Sequence, residues 1–399
     1  MDSIKFTDNR QPHKVVYPLV PTLLVISLAF IAGKNTAVDI ADYWKFNLDR
    51  LRSIIPELPE TPISHDTVLR LLKSIKFDEF DGFILYLTQN IIEAQGLSSE
   101  KKIMSLDGET PRAIEYTPKE GMKHPEDGRC YNRLYYVSLY DSTDKLVLAQ
   151  TEVQDKENEN KACLRLIDLI DCSDCIFTSD ALNSQRALAA KIIEKGGDYC
   201  LAIKDNHKTL RQAISTAFDN AQLLDEQAVY YNSDTEIGHG RIESRTVIAL
   251  PITALPKRSL GAWVEDAQTV FFARTCSYDK KYGVYREPEI RYYISSLSFD
   301  NPDIAKAGYE AIRKHWCIEN SLHYVLDVTF NQDRAQIKNR NYIRNKLLLN
   351  KLALNALRCA QPAYSKGKEV ISIKRLTSIA SYSPEEALKM LSYYVPAEE

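Results

Sequence analysis

Between residues 97 and 206 the chain alternates short apolar segments with helical ones, and this rhythm restricts its fold more than any other feature. KKIMSLDGE, NRLYYVSLYDS and DKLVLAQTEV read as three strands, the last two joined by a turn around Asp141, Ser142 and Asp144. NENKACLRLIDLID follows with Leu166, Ile167 and Ile170 at helical spacing. DCIFTSDALNSQ is a strand ending in Asp180, SQRALAAKIIEKGG a helix closed by Gly196 or Gly197, and DYCLAIKDN one more strand. The first three strands can pair through hairpins, whereas the later two need helical crossovers. The spacing therefore predicts an α/β sheet of mixed strand direction with flanking helices.

A chain of 399 residues exceeds one ordinary core, and the flanks of the sheet suggest how it divides. Residues 1–95 read as an all-α N-terminal domain, followed by a second domain over 96–399. Within the second, a β-rich insertion from about 206 to 297 (AVYYNSD, ESRTVIALPI, QTVFFARTCSY, EIRYYISSL) separates the sheet from a helical C-terminal part. The run VPTLLVISLAFIAG is shorter than the roughly 20 apolar residues of a membrane span. It also lacks the compact basic start of an export signal, so a buried helix and a cytoplasmic protein are expected. Eight scattered cysteines fit reduced thiols, and the CSDC of Cys172 and Cys175 has no second pair at zinc-finger spacing.

Lysine plus arginine (51) nearly balances aspartate plus glutamate (54), so any nucleic-acid contact must rest on local patches. Two stand out. SHDTVLRLLKSI, with Ser64 as a helix cap, puts Arg70, Lys73 and Lys76 on the later member of a helix pair that has the outline of a helix-turn-helix and equally that of a small bundle. Residues 334 to 351 carry Arg334, Lys338, Arg340, Arg344, Lys346 and Lys351 without an acid, which suits a phosphate track or a solvated helix face.

The acids are the candidates for chemistry. Asp107 and Asp180 each end a strand, where sites of α/β sheets assemble. In HWCIENSLHYVLDVTF, His315, Glu319, His323 and Asp327 recur every four residues and fall on one helical stripe. Asp107, Asp180 and Glu319 together would make an oxygen cage for hard divalent cations, and two such ions about 4 Å apart can serve phosphoryl transfer. Acids at strand ends are also ordinary loop formers. Asp327 is an alternative third ligand, and a zinc site built on His315 and His323 lacks a second matching segment.

SLDGET, TSDALNSQ, KIIEKGGDYCLAIKDN, GHGRIESR and HWCIENSLHYVLDVTFNQD, in this order, resemble the blocks of the H-repeat-associated transposases of bacterial insertion sequences. PLVPTLLVISLAFIAG and ISHDTVLRLLKSI resemble the helical domain attached to that family. The resemblance implies a ribonuclease-H-like core whose catalytic, metal-binding DDE triad is Asp107, Asp180 and Glu319. It further implies two Mg2+ ions, with Mn2+ as a substitute, and a homodimer working on double-stranded DNA at element ends and target sites near the nucleoid. Accessory roles would fall to Lys204, Asn206, His315 and His323, and DNA contacts to His239, Arg241 and Arg245. Three positions depart from the family pattern: Glu109 where lysine is usual, Gln332 where an acid is, and Leu326 where related transposases often carry a base. A DNA-binding relative without activity is the alternative function.

Overall fold

The computed structural model describes residues 7–8, 10–94, 101–110, 134–153, 159–238, 240–332, 339–367 and 369–395. Five helices open the chain: α1 (Leu19–Ile31), α2 (Ala37–Phe46), α3 (Leu48–Ile54), α4 (His65–Ser74) and α5 (Phe77–Ala94). The apolar run at 20–33 forms α1, buried almost all round. No helix among the described residues is long and apolar enough to cross a membrane. Ser64 caps α4 as its position suggests, its Oγ accepting the Thr67 N–H at 3.3 Å.

The sheet follows in the expected order: β1 (Lys102–Glu109), β2 (Tyr136–Asp141), β3 (Leu146–Glu152), α6 (Glu159–Asp168), β4 (Cys175–Ser179), α7 (Arg186–Glu194) and β5 (Asp198–Ile203). The strands lie side by side as β3-β2-β1-β4-β5. β2 is antiparallel to β1 and β3, while β4 is parallel to β1 and β5. Antiparallel β2 and β3 on one side of β1 and parallel β4 and β5 on the other are the ribonuclease-H-like arrangement. Side chains alternate across this sheet. Gly108 faces α6, where an added Cβ would stand 3.0 Å from the Glu159 carboxylate, whereas Ile103, Asp107 and Glu109 face the opposite side.

The insertion does not form a separate body. After α8 (Lys208–Phe218) and α9 (Ala221–Gln227) come β6 (Val229–Asn232), β7 (Glu236–Gly238), β8 (Arg241–Pro251), α10 (Lys257–Leu260), β9 (Thr269–Asp279), β10 (Val284–Tyr285) and β11 (Glu289–Ser295). β11 pairs antiparallel with β5, Tyr292 opposite Ile203, and β9, β8 and β6 continue outward in the same sheet. The expected β-rich block opens with two helices, and its strands continue the same sheet because the open edge of β5 recruits β11 as its next strand.

Helix α11 (Ile304–His315) then crosses beneath the sheet over a second apolar cluster of Ile103, Ile176, Val247 and Phe271. A π-helical turn (Ile318–His323), α12 (Tyr324–Val328), α13 (Arg340–Tyr364), α14 (Ile373–Ala380) and α15 (Pro384–Ser392) complete the chain. The larger core runs without a break from α1 through β2 and β3 to α13 and α15.

The α11 contact depends on the missing side chain of Gly308, where a Cβ would collide with the Phe271 ring. Overpacking a filled core costs typically about 1–3 kcal/mol. Gly308→Ala is expected to lower stability in urea denaturation by that amount, and an unchanged midpoint would refute this packing.

Candidate active site

In the parallel register of β1 and β4, Leu106 lies opposite Ser179. One residue farther along each strand stand Asp107 and Asp180, so two carboxylates leave the same sheet edge side by side. Each is tethered by its own backbone: Asp107 Oδ1 accepts the Gly108 N–H at 2.9 Å, and Asp180 Oδ1 accepts the Asn183 N–H at 3.0 Å. Asn206 donates from Nδ2 to the Ala181 carbonyl at 2.6 Å, which pins the loop after β4, and Lys204 stands at the end of β5. Glu319 comes from the π-helical turn. Asp107, Asp180 and Glu319 line one cavity of about 450 Å³, together with Lys204, Arg211, Arg291, His315 and Trp316.

The stripe at every fourth residue is broken where it matters. Between α11 and α12 the backbone widens to π-helical pairing, the Tyr324 N–H reaching the Glu319 carbonyl five residues back; such turns recur at functional sites. His315 and Glu319 face the cavity, while Asp327 is not among its lining residues. His315 Nδ1 lies 3.1 Å from Thr178 Oγ1, and burial pushes its pKa below the ordinary histidine value. His323 is buried and turns toward β1, with Nε2 at 3.3 Å from Asp107 Oδ2 and Nδ1 at 2.8 Å from Glu109 Oε2. Burial alone would discharge the ring, but the two carboxylates outweigh it and raise its pKa to about 10.

Among the described residues no three His, Cys, Asp or Glu side chains are gathered closely enough to hold a metal ion. The donor set nonetheless fits one. Carboxylate oxygens are hard ligands, and magnesium takes one or two of them while filling its remaining positions with water and phosphate oxygens, so a closed protein cage is not required.

A family model described as "Transposase DDE domain" matches residues 98–356, and one described as "DDE_Tnp_1-associated" matches residues 4–87. The chain belongs to the DDE transposase family. It is 30% identical to "Putative transposase YncI" of Escherichia coli O157:H7, over 88% of this chain and 85% of that one. It is 29% identical to "H repeat-associated putative transposase YhhI" of Escherichia coli strain K12, over 88% and 87%. A solved structure of the piggyBac transposase synaptic complex with hairpin DNA is also similar: 11% identity, 98% of this chain and 76% of that one covered, TM-score 0.43.

In this transposase the cationic residues singled out in the sequence fall in different places. Arg70, Lys73 and Lys76 are exposed on and just after α4, Lys76 pairing with Glu79 at 2.9 Å. Arg241 and Arg245 line a second cavity of about 340 Å³ that shares Arg291, Tyr293 and Trp316 with the first. His239, Arg334 and Lys338 lie outside the described residues. The continuous cationic face expected up to residue 351 is not what α13 presents. Arg340 and Arg344 both grip the Glu152 carboxylate, and Lys346 and Lys351 are 5% and 1% exposed. Burial lowers the Lys346 pKa to about 8, and such a side chain has no phosphate to meet.

Three contributors are given a place at the site only by the fold. Arg291 enters the cavity wall from β11 with its guanidinium 4.4 Å from the Trp316 ring centroid, Glu109 is buried beside His323, and Lys351 lies behind both. In sequence Glu109 shows only as a departure from the family pattern and Lys351 only as the last cation of the basic run, within LLLNKLALNAL, while Arg291 leaves no trace.

The elevated His323 pKa fixes the sign of a pH effect. An unfolded histidine releases its proton near 6.5, whereas the folded ring keeps it to about 10. Its stabilisation is therefore complete below pH 6.5 and is lost as pH rises through 10. Thermal midpoints of the metal-free protein should fall between pH 7 and 10, less steeply in His323→Gln. Parallel slopes for the two proteins would contradict the pairing.

Proposed function

We propose that this transposase cuts DNA phosphodiester bonds at the ends of a bacterial insertion sequence and joins the freed 3′ hydroxyl to target DNA. The observation that carries the reading is the convergence of Asp107 of β1, Asp180 just after β4 and Glu319 of the π-helical turn on one cavity. We assign these acids as holders of two Mg2+ ions, with Mn2+ able to substitute. When bound, such ions supply the positive charge that activates an attacking oxygen and stabilises a leaving one.

The remaining work belongs to the chain's own groups. Lys204, Arg211, which pairs with Asp205 at 2.7 Å, and Arg291, which pairs with Glu289, bring cationic side chains to the cavity wall that can meet a phosphodiester. His315, held against Thr178, fixes the helix end that carries Glu319. Water first opens the bond at the element end, leaving a 3′ hydroxyl; that hydroxyl then attacks a target phosphodiester, forming one P–O bond as another breaks. Arg70, Lys73 and Lys76 on the N-terminal helices engage the element ends, and a homodimer brings two ends together. Nucleoid DNA in a bacterial cytoplasm is the working location under this reading.

Glu319→Gln retains the side-chain shape and removes its charge, so cleavage and joining are both expected to fall about a thousandfold. Asp327→Asn should stay within a few fold of wild type. Neutralising Arg70, Lys73 and Lys76 should reduce the slope of log affinity against log salt for element ends by up to about 3. Cleavage that survives Glu319→Gln but not Asp327→Asn, or that persists in excess chelator, would overturn the assignment.

A further inference from the structure

Behind Asp107 lies a chain of buried charges that the DDE triad does not include. Glu109 follows Asp107 by two residues on β1 and points to the same face. Its Oε2 meets His323 Nδ1 at 2.8 Å, and its Oε1 meets Lys351 Nζ at 3.1 Å. Lys351 is 1% exposed on α13, and it also donates to Ser138 Oγ at 2.8 Å and to Gln150 Oε1. Ser138 stands opposite Asp107 on β2, and Gln150 opposite Ser138 on β3. One ammonium group thus ties three adjacent strands to a helix. The imidazole of His323 bridges this assembly to Asp107, since each of its ring nitrogens faces a carboxylate oxygen.

Each member answers the charge of the next. A buried ionised carboxylate without partners is costly, and so is a buried ammonium. With Lys351 and His323 on either side, Glu109 keeps its charge although burial opposes it. With Glu109 beneath it, the imidazole stands against Asp107 from behind, and Asp107 still lines the cavity. This also explains how the chain accommodates an acid at 109, where the resembled family usually has lysine: the cation arrives from α13 instead.

We infer that Lys351 is a positioning residue which, through Glu109 and His323, fixes the orientation of the Asp107 carboxylate toward its metal ion. The inference rests on the metal assignment made for Asp107 above. Groups that orient a ligand from behind typically change metal affinity about 10- to 100-fold when removed. Lys351 touches neither substrate nor metal, so its effect must appear in metal affinity and not in DNA affinity. Asp81 of α5 also feels the Lys351 charge, so Glu109→Gln, which leaves Lys351 in place, is the variant that isolates the route through Glu109.

The test uses the full chain with Mn2+ alone, following free Mn2+ by electron paramagnetic resonance, beside duplex binding and thermal unfolding. Glu109→Gln and Lys351→Met are each expected to weaken Mn2+ binding at least tenfold, with duplex affinity unchanged. Lys351→Met should also lower the thermal midpoint, because it strands Glu109. The double variant Glu109→Gln/Lys351→Met should recover most of that midpoint but none of the Mn2+ affinity. If Mn2+ affinity instead returns with the midpoint, or stays within twofold of wild type in Glu109→Gln, the network is only structural and the inference is overturned. If the wild type binds no Mn2+, or binds it equally well after Asp107→Asn, the metal assignment fails and takes the inference with it.

Discussion

Burial of the Arg340–Tyr364 helix is the constraint on which the other parts of the molecule depend. Most of its residues are inaccessible, including Asn345, Lys346, Asn350, Lys351 and Asn355. A helix this apolar could slide or rotate in a hydrophobic bed, since burial has no direction. Its polar side chains remove that freedom. Asn341 and Asn345 donate to the Ile75 carbonyl beyond the end of α4, Lys351 reaches Ser138, and Asn355 both accepts the Val147 N–H and donates to the Val147 carbonyl. A buried polar group left unpaired costs about 1–3 kcal/mol. A shift of one residue would break several of these bonds together, so one helix register is selected.

The same bonds join parts of the protein that are far apart in sequence. Through Asn341 and Asn345 the helix holds the C-terminal end of α4, whose outer face carries Arg70 and Lys73. Through Asn355 it satisfies β3, the edge strand of the sheet, beside the irregularity where the β2–β3 register shifts. Through Lys351 it reaches Glu109 behind Asp107. The N-terminal helices and β1, which bears Asp107, are therefore held against one helix.

How much of this the sequence disclosed follows from the range of each interaction. The order of strands and helices, the Ser64 cap and the place of Asp180 just after a strand were legible because alternation, capping and strand length are local properties, although β1 runs two residues past Asp107. The basic run was misread because its outcome is decided by Glu152, which is 188 residues from Arg340 and 192 from Arg344. Periodicity records where a cation sits on a helix but not what faces it. The π-helical turn was hidden for a related reason: Leu322 and Leu326 keep an α-helical spacing that gives no sign of the extra residue accommodated in that turn. Glu109 looked like a loss relative to the resembled family because its partner, Lys351, lies at the far end of the chain.

The insertion illustrates the same dependence at the level of the sheet. A five-stranded half ending at β5 would leave a row of unpaired backbone groups, a template for unwanted pairing. β11 covers that row in a fixed register, with Tyr292 opposite Ile203 and Ser295 opposite Cys200, and the outer edge moves to the short strand β6. Because the register is fixed, so is the line of side chains from Ile290 to Tyr293 along the cavity wall. Arg291 then meets Trp316, one residue beyond α11, and the insertion and the π-helical turn both contribute to the cavity wall. A domain hung from a flexible linker could supply similar residues but not hold them to a fraction of an ångström. Strand pairing does so with backbone hydrogen bonds that any sequence can make, leaving the side chains free to shape the site.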